Sequence, residues 1–149
     1  IPTNPTPIIP TPTPNLLNLA SINSIASKNI SYVGDAISYA TIVSNVGNVP
    51  LGTYDVPVTV FTELSPSVSF IPGSLSINNV PVNCVNPSQI NLGILQPGDV
   101  RIITYSVRVN NACPNIVYNI QKLLYGYDPL YIGTSTFSVN GNIVMTYIN

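Results

Sequence analysis

The sequence predicts an all-β protein, an antiparallel sandwich or barrel, on three observations. Stretches in which bulky or β-branched residues alternate with small or polar ones recur about every 10–15 residues from Leu16 onward. Gly, Pro and Asn clusters separate them, as turns between short strands require. No stretch combines a 3.6-residue apolar period with helix caps. The 149 residues suit one domain, and a chain of that size buries roughly 68–70% of its unfolded surface.

Residues 1–15 form a separate unit ahead of the β domain at 16–149. The opening "IPTNPTPIIPTPTP" holds six prolines and four threonines, a composition that favours an extended, polyproline-like arm. Pro10, Pro12 and Pro14 share one parity, so they remove N–H donors from one edge while Ile9, Thr11 and Thr13 keep theirs on the other. Such an arm can pair with one strand but blocks a second. Ile8, Ile9, Leu16 and Leu17 are its apolar anchors. The competing reading of the composition is a disordered or glycosylated spacer.

The elements then follow in order. "LNLASINSI" (17–25) alternates loosely and "AISYATIVS" (36–44) alternates well. "VPVTVFTEL" (56–64) is β-branched, with Pro57 marking an edge or a strand start. "SLSINNVPV" (74–82) predicts a tight hairpin turning at Asn78-Asn79, and "INLGIL" (90–95) a short strand. "VRIITYSVRV" (100–109) sets Ile103, Tyr105, Val107 and Val109 on one face, expected to share the core with Ile37, Tyr39 and Val43. "NIVYNIQKLLYGY" (115–127) contains the nearest thing to a helix, but Val117 and Tyr118 pull it towards strand. "TSTFSVNGNIVMTYI" (134–148) carries an Asn140-Gly141 pair that suits a type I′ turn.

Gly34-Asp35 and Pro97-Gly98-Asp99 each sit just before a long alternating strand, and Asn45 with Gly47 closes the first of these. An aspartate in a turn accepts backbone N–H groups while glycine supplies unusual dihedrals. Both pairs are therefore read as turns rather than as chemical actors.

Composition argues against catalysis. Only nine residues are charged, 6% of the chain, where about 25% is typical. There is no histidine, hence no imidazole base and none of the commonest metal ligand. The five acids, Asp35, Asp55, Glu63, Asp99 and Asp128, share no motif. No calcium loop or phosphate loop occurs, and no cofactor or metal is expected. A net charge of −1 suggests neither nucleic acid nor an anionic membrane as partner. No apolar run reaches the ~18 residues of a membrane span. The start at Ile1 is expected of a fragment or of a product whose leader has been removed.

Two covalent cross-links are conceivable. Cys84 and Cys113 are the only cysteines. An intramolecular disulfide, worth about 3–4 kcal/mol in the chain-entropy model, is expected, with free buried thiols or an intersubunit bond as alternatives. Lys28 could instead form an isopeptide with Asn140, Asn142 or Asn149 assisted by Glu63, against the simpler reading of a solvent-exposed lysine.

The stretch Gly34, Asp35, Ile37, Tyr39, Thr41, Val43, Asn45, Gly47 resembles the G-D-x-[VI]-x-Y-x-[IV]-x-V-x-N-x-G pattern of DUF11-type repeat domains of bacterial and archaeal surface proteins. Thr41 stands where that family usually has an aliphatic residue. "SFIPGSLSINNVPV" (69–82) and "INLGILQPGDVRIITYSVRVN" (90–110) are similar to two further family segments in the same order. The resemblance implies an immunoglobulin-like sandwich in an extracellular structural protein at a cell or spore surface, and it brings no catalytic residues.

Together these features suggest a structural subunit of an extracellular homopolymer, a fibre, appendage or coat layer, joined head-to-tail by its arm to other copies of itself. Other surface proteins are further conceivable partners. Ser, Thr, Asn and Tyr at the outward positions suit neutral contacts, and charges for free solubility are few. A single spacer repeat of a surface stalk or adhesin is the second reading. A carbohydrate- or protein-binding module, resting on the nine tyrosines, is the third.

Overall fold

The computed structural model describes residues 2–7, 19–83, 86–128 and 133–149. Among these described residues, twelve strands form two six-stranded sheets. The first sheet holds β1 (Ala20–Ala26), β3 (Ala36–Asn45), β5 (Val68–Phe70), β6 (Ser76–Ile77), β7 (Val80–Pro81) and β9 (Val100–Val109). The second holds β2 (Ile30–Ser31), β4 (Val58–Leu64), β8 (Gln89–Gly93), β10 (Ile116–Tyr127), β11 (Ser135–Asn140) and β12 (Val144–Ile148).

The strand orders are β1-β3-β9-β6-β7 and β2-β12-β10-β4-β8. With β1, β3, β6, β9 as strands A, B, D, E and β4, β10, β12 as C, F, G, these are the two sheets of an immunoglobulin-like sandwich. All pairings are antiparallel except the short parallel pair of β2 with β12.

Period-2 alternation explains the core. In β3 and β9, Tyr39 pairs with Tyr105 and Ile37 with Val107. Ile37, Tyr39, Val43, Ile103, Tyr105, Val107 and Val109 are all buried in one cluster, with Val58, Val60, Val117 and Leu123 of the other sheet. Every second side chain must point inward from a pleated strand, so one register fixes the whole set. Pro57 immediately precedes β4, where its missing N–H withholds nothing from the ladder. Asn78 and Asn79 adopt φ of 50° and 63°, the two left-handed residues a tight β6-β7 turn demands.

The end of the chain corrects one expectation. Asn140-Gly141 does not close a hairpin: β11 and β12 pair not with each other but in succession along the same side of β10. β10 runs for twelve residues, longer than either partner, so two short strands share it end to end. The Gly141 amide donates to Gln121 O at 2.8 Å, continuing the ladder across the break. A Cβ at Gly141 would lie 3.0 Å from that oxygen, so the close approach favours glycine.

The outward positions are also less polar than expected. The outer face of the first sheet mixes Ser38, Ser44, Thr104 and Ser106 with exposed Ile25, Ile42 and Ile102. That of the second carries Ile30, Phe61, Ile143, Met145 and Tyr147.

Candidate functional site

Two features of this sandwich could carry function: a polar cluster between the sheets and the neutral outer surface. The cluster is built from inward positions of four strands. Thr41 Oγ1 of β3 donates to Gln121 Oε1 of β10 at 2.5 Å, and Ser24 Oγ of β1 donates to the same oxygen at 2.6 Å. Gln121 Nε2 donates to Thr62 Oγ1 of β4 at 3.1 Å, and the Ser24 and Thr41 hydroxyls lie 3.0 Å apart. All four side chains are buried. Every member is a neutral hydroxyl or carboxamide, and their hydrogen bonds tie the two sheets together.

Beside it, Asn119 is fully buried with neither side-chain atom partnered among the described residues, and the hydroxyls of Tyr39 and Tyr105 are likewise without a well-formed hydrogen bond. The two rings lie 5.5 Å apart. Burial pushes the Tyr39 phenol up to about 12. Burial raises Tyr105 as well, a charge on Tyr39 would add to this, and the neighbouring Asn119 and Thr62 side chains only partly offset it. Both phenols are neutral at physiological pH.

The residues of the two Gly-Asp turns hold the ends of β3 and β9. Gly34 has φ +94°, and the Asp35 carboxylate accepts from Lys28 Nζ at 3.1 Å, Ser31 Oγ at 3.2 Å and the Tyr32 amide at 3.3 Å. The Lys28 hydrogen bond is the largest influence lowering the Asp35 pKa. At the other end the Asp99 carboxylate accepts the Gln96 amide at 2.9 Å, and Gly98 N donates to Asn45 O at 3.0 Å. Asn45 is buried and its Nδ2 donates to Val49 O and Leu95 O, while its Oδ1 accepts Gly47 N.

Lys28 therefore sits at Asp35. Asn142 is engaged elsewhere: its Oδ1 accepts Ser24 N at 2.8 Å and its Nδ2 donates to Ser24 O at 2.9 Å, a side chain standing in for a strand beside β1. The structure does not bring Lys28 to Asn142. Cys113 is exposed. Cys84, like Ile8, Ile9, Pro10, Pro12, Pro14, Leu16 and Leu17 of the arm, lies outside the described residues.

An exposed apolar surface lies on the outer face of the second sheet. Ile30, Ile143, Met145 and Tyr147 are each more than half exposed there. Registers align Ile30, Tyr147 and Ile116 in one row and Met145 beside Tyr118 in the next. Next to them a groove of about 540 Å³ opens over β4 and β10, with Phe61, Ile120 and Ile143 as its apolar lining and Glu63, Lys122 and Asn140 among its polar groups. Sequence reasoning missed Gln121, Ser24 and Thr62 as partners. The only available signal was the inward parity of Gln121 with Val117 and Leu123.

No protein-family model matches the sequence, and none of the curated proteins is similar to it in sequence. Among solved structures, the chain is similar to the N-terminal domain of the Streptococcus gordonii adhesin Sgo0707, with a TM-score of 0.53 at 12% identity over 91% of this chain. It also matches Spo0M, a sporulation control protein from Bacillus subtilis, with a TM-score of 0.46 at 9% identity over 89% of this chain. The matched regions cover 33% of the adhesin domain's chain and 50% of the Spo0M chain. The adhesin likeness concerns the fold: a two-sheet, all-β domain.

Proposed function

We propose that this chain is a non-catalytic structural subunit of an extracellular homopolymer at a cell or spore surface, assembled head-to-tail by docking of its N-terminal arm onto a neighbouring copy. The observation that carries this reading is the outer face of the second sheet. Ile30, Ile143, Met145 and Tyr147 are more than half exposed across adjacent strands, and patches of this kind mark contact surfaces. The neutral, Pro-rich arm retains isoleucines and leucines that a spacer does not need. The DUF11-type resemblance of residues 31–110 supports the same surface setting. A head-to-tail contact of arm on domain is heterologous and propagates as a filament.

The second reading is a spacer repeat of a surface stalk or adhesin, which the fold likeness to an adhesin domain favours. Electron microscopy separates the two: filaments from the purified chain support the first, dispersed monomers the second. A Cys84–Cys113 disulfide belongs to this extracellular proposal. Two alkylatable thiols in the native secreted chain would refute it; intact mass without reductant should instead lack two hydrogens.

A further inference from the structure

We infer that the Asn140-Gly141 step is a modification site, a point of deamidation that the closed fold silences and that local opening of the β11-β12 link exposes. Asn140 is the one asparagine in the chain followed by glycine, and a glycine, lacking Cβ, least hinders attack by its own amide nitrogen. In that reaction the Gly141 amide gives its proton to solvent base and its nitrogen bonds to Asn140 Cγ. The Cγ–N bond of the carboxamide breaks and ammonia leaves. Water then opens the succinimide ring, leaving either a carboxylate at position 140 or a main chain rerouted through the side chain and longer by one methylene. Asn140 is exposed, so water reaches it.

The closed fold holds the nucleophile. The Gly141 amide donates to Gln121 O at 2.8 Å and so keeps its proton. Asn140 ends β11 and is held extended in register with Lys122, whereas ring closure needs the backbone to leave the strand. One residue on, Asn142 clips the link to β1: its Oδ1 accepts Ser24 N at 2.8 Å and its Nδ2 donates to Ser24 O at 2.9 Å. That clip also occupies the attacking amide of Asn23-Ser24, a second exposed asparagine followed by a small residue. Detaching Asn142 frees the Ser24 amide directly and loosens the link that carries Gly141. An added methylene shifts Gly141 against Gln121 O, an approach so close that a Cβ would lie 3.0 Å away, so the rerouted chain does not reclose in the same register. All these parts lie in one domain, so the site is the same in a monomer and in a filament.

The test incubates the full chain, folded or unfolded in guanidinium chloride, in mildly alkaline heavy-oxygen water. Tandem mass spectrometry of proteolytic peptides then locates the heavy oxygen. In the unfolded chain, conversion at Asn140 is expected to lead that at every other asparagine. In the folded chain it is expected to be slower by roughly tenfold or more, because the opened link is a minor population. Asn142→Ala is expected to raise the folded-state rate several-fold at Asn140, and to raise it at Asn23 as well, with the unfolded-state rate at Asn140 unchanged. Ile103→Ala, which weakens the core from β9, is expected to leave the folded-state rate near that of the unaltered chain. Melting temperatures establish that both variants are folded during incubation. Equal rates in the folded and unfolded chains, or a folded Asn142→Ala chain no faster than the unaltered one, overturn the inference. So does an Ile103→Ala rate matching that of Asn142→Ala, which would mean that the site opens only with the whole fold.

Discussion

Thr41 Oγ1 donates to Gln121 Oε1 at 2.5 Å, joining β3 of one sheet to β10 of the other. These are the B and F strands of the sandwich, the pair that a disulfide bridges in antibody domains. Here Ser24 and Thr41 donate to the Gln121 carboxamide oxygen and its nitrogen donates to Thr62, so one side chain links β1, β3 and β4 to β10. The Thr41 hydroxyl supplies a contact that an aliphatic side chain at this position could not make.

Gln121→Leu removes the shared partner of three buried hydroxyls, and a loss of about 2–4 kcal/mol is expected. Thr41→Val is expected to lose about 1 kcal/mol or less, because the Gln121 oxygen keeps Ser24. Urea unfolding of both variants checks the order. A Gln121→Leu protein as stable as Thr41→Val would show that the cluster does not tie the sheets.

Ile103 is fully buried and its neighbour Ile102 points outward, 43% exposed. Ile103→Ala is expected to destabilise by about 3 kcal/mol, and Ile102→Ala by about 0.5 kcal/mol. Equal effects in denaturant titrations would mean that the faces of β9 are misassigned.

Tyr39 has its phenol pushed up to about 12 by burial, and Tyr105 is raised as well. A phenol whose folded pKa exceeds the unfolded value of about 10 holds its proton more tightly when folded. Its contribution is fully present below pH ~10 and is lost as pH rises from there towards 12. Tyrosinate absorbance at 295 nm and far-UV circular dichroism should therefore move together for the buried phenols. Titration of all nine tyrosines near pH 10 with the fold intact would contradict this.

The fold was legible because β3 and β9 alternate without interruption, so seven core residues follow from parity alone. Asn78-Asn79 was legible because two left-handed residues leave one kind of turn. Asn140-Gly141 carried the same local signal, yet the length of β10 drew β11 and β12 alongside it instead. The Gln121 cluster was hidden because its members come from strands up to 97 residues apart, and parity says which way a side chain points but not whom it meets. The apolar outer face was missed because Ile143, Met145 and Tyr147 become one surface with Ile30 and Ile116 only through the registers of β2, β10 and β12.

The central claim is that the arm joins copies of this domain into a filament. Electron microscopy of the full chain beside a chain lacking residues 1–15, at matched concentration, tests it most directly. Filaments from the full chain and dispersed, folded monomers from the truncated one are predicted. Filaments of unchanged morphology and stability from the truncated chain, or a full chain that stays monomeric at every concentration, would contradict it.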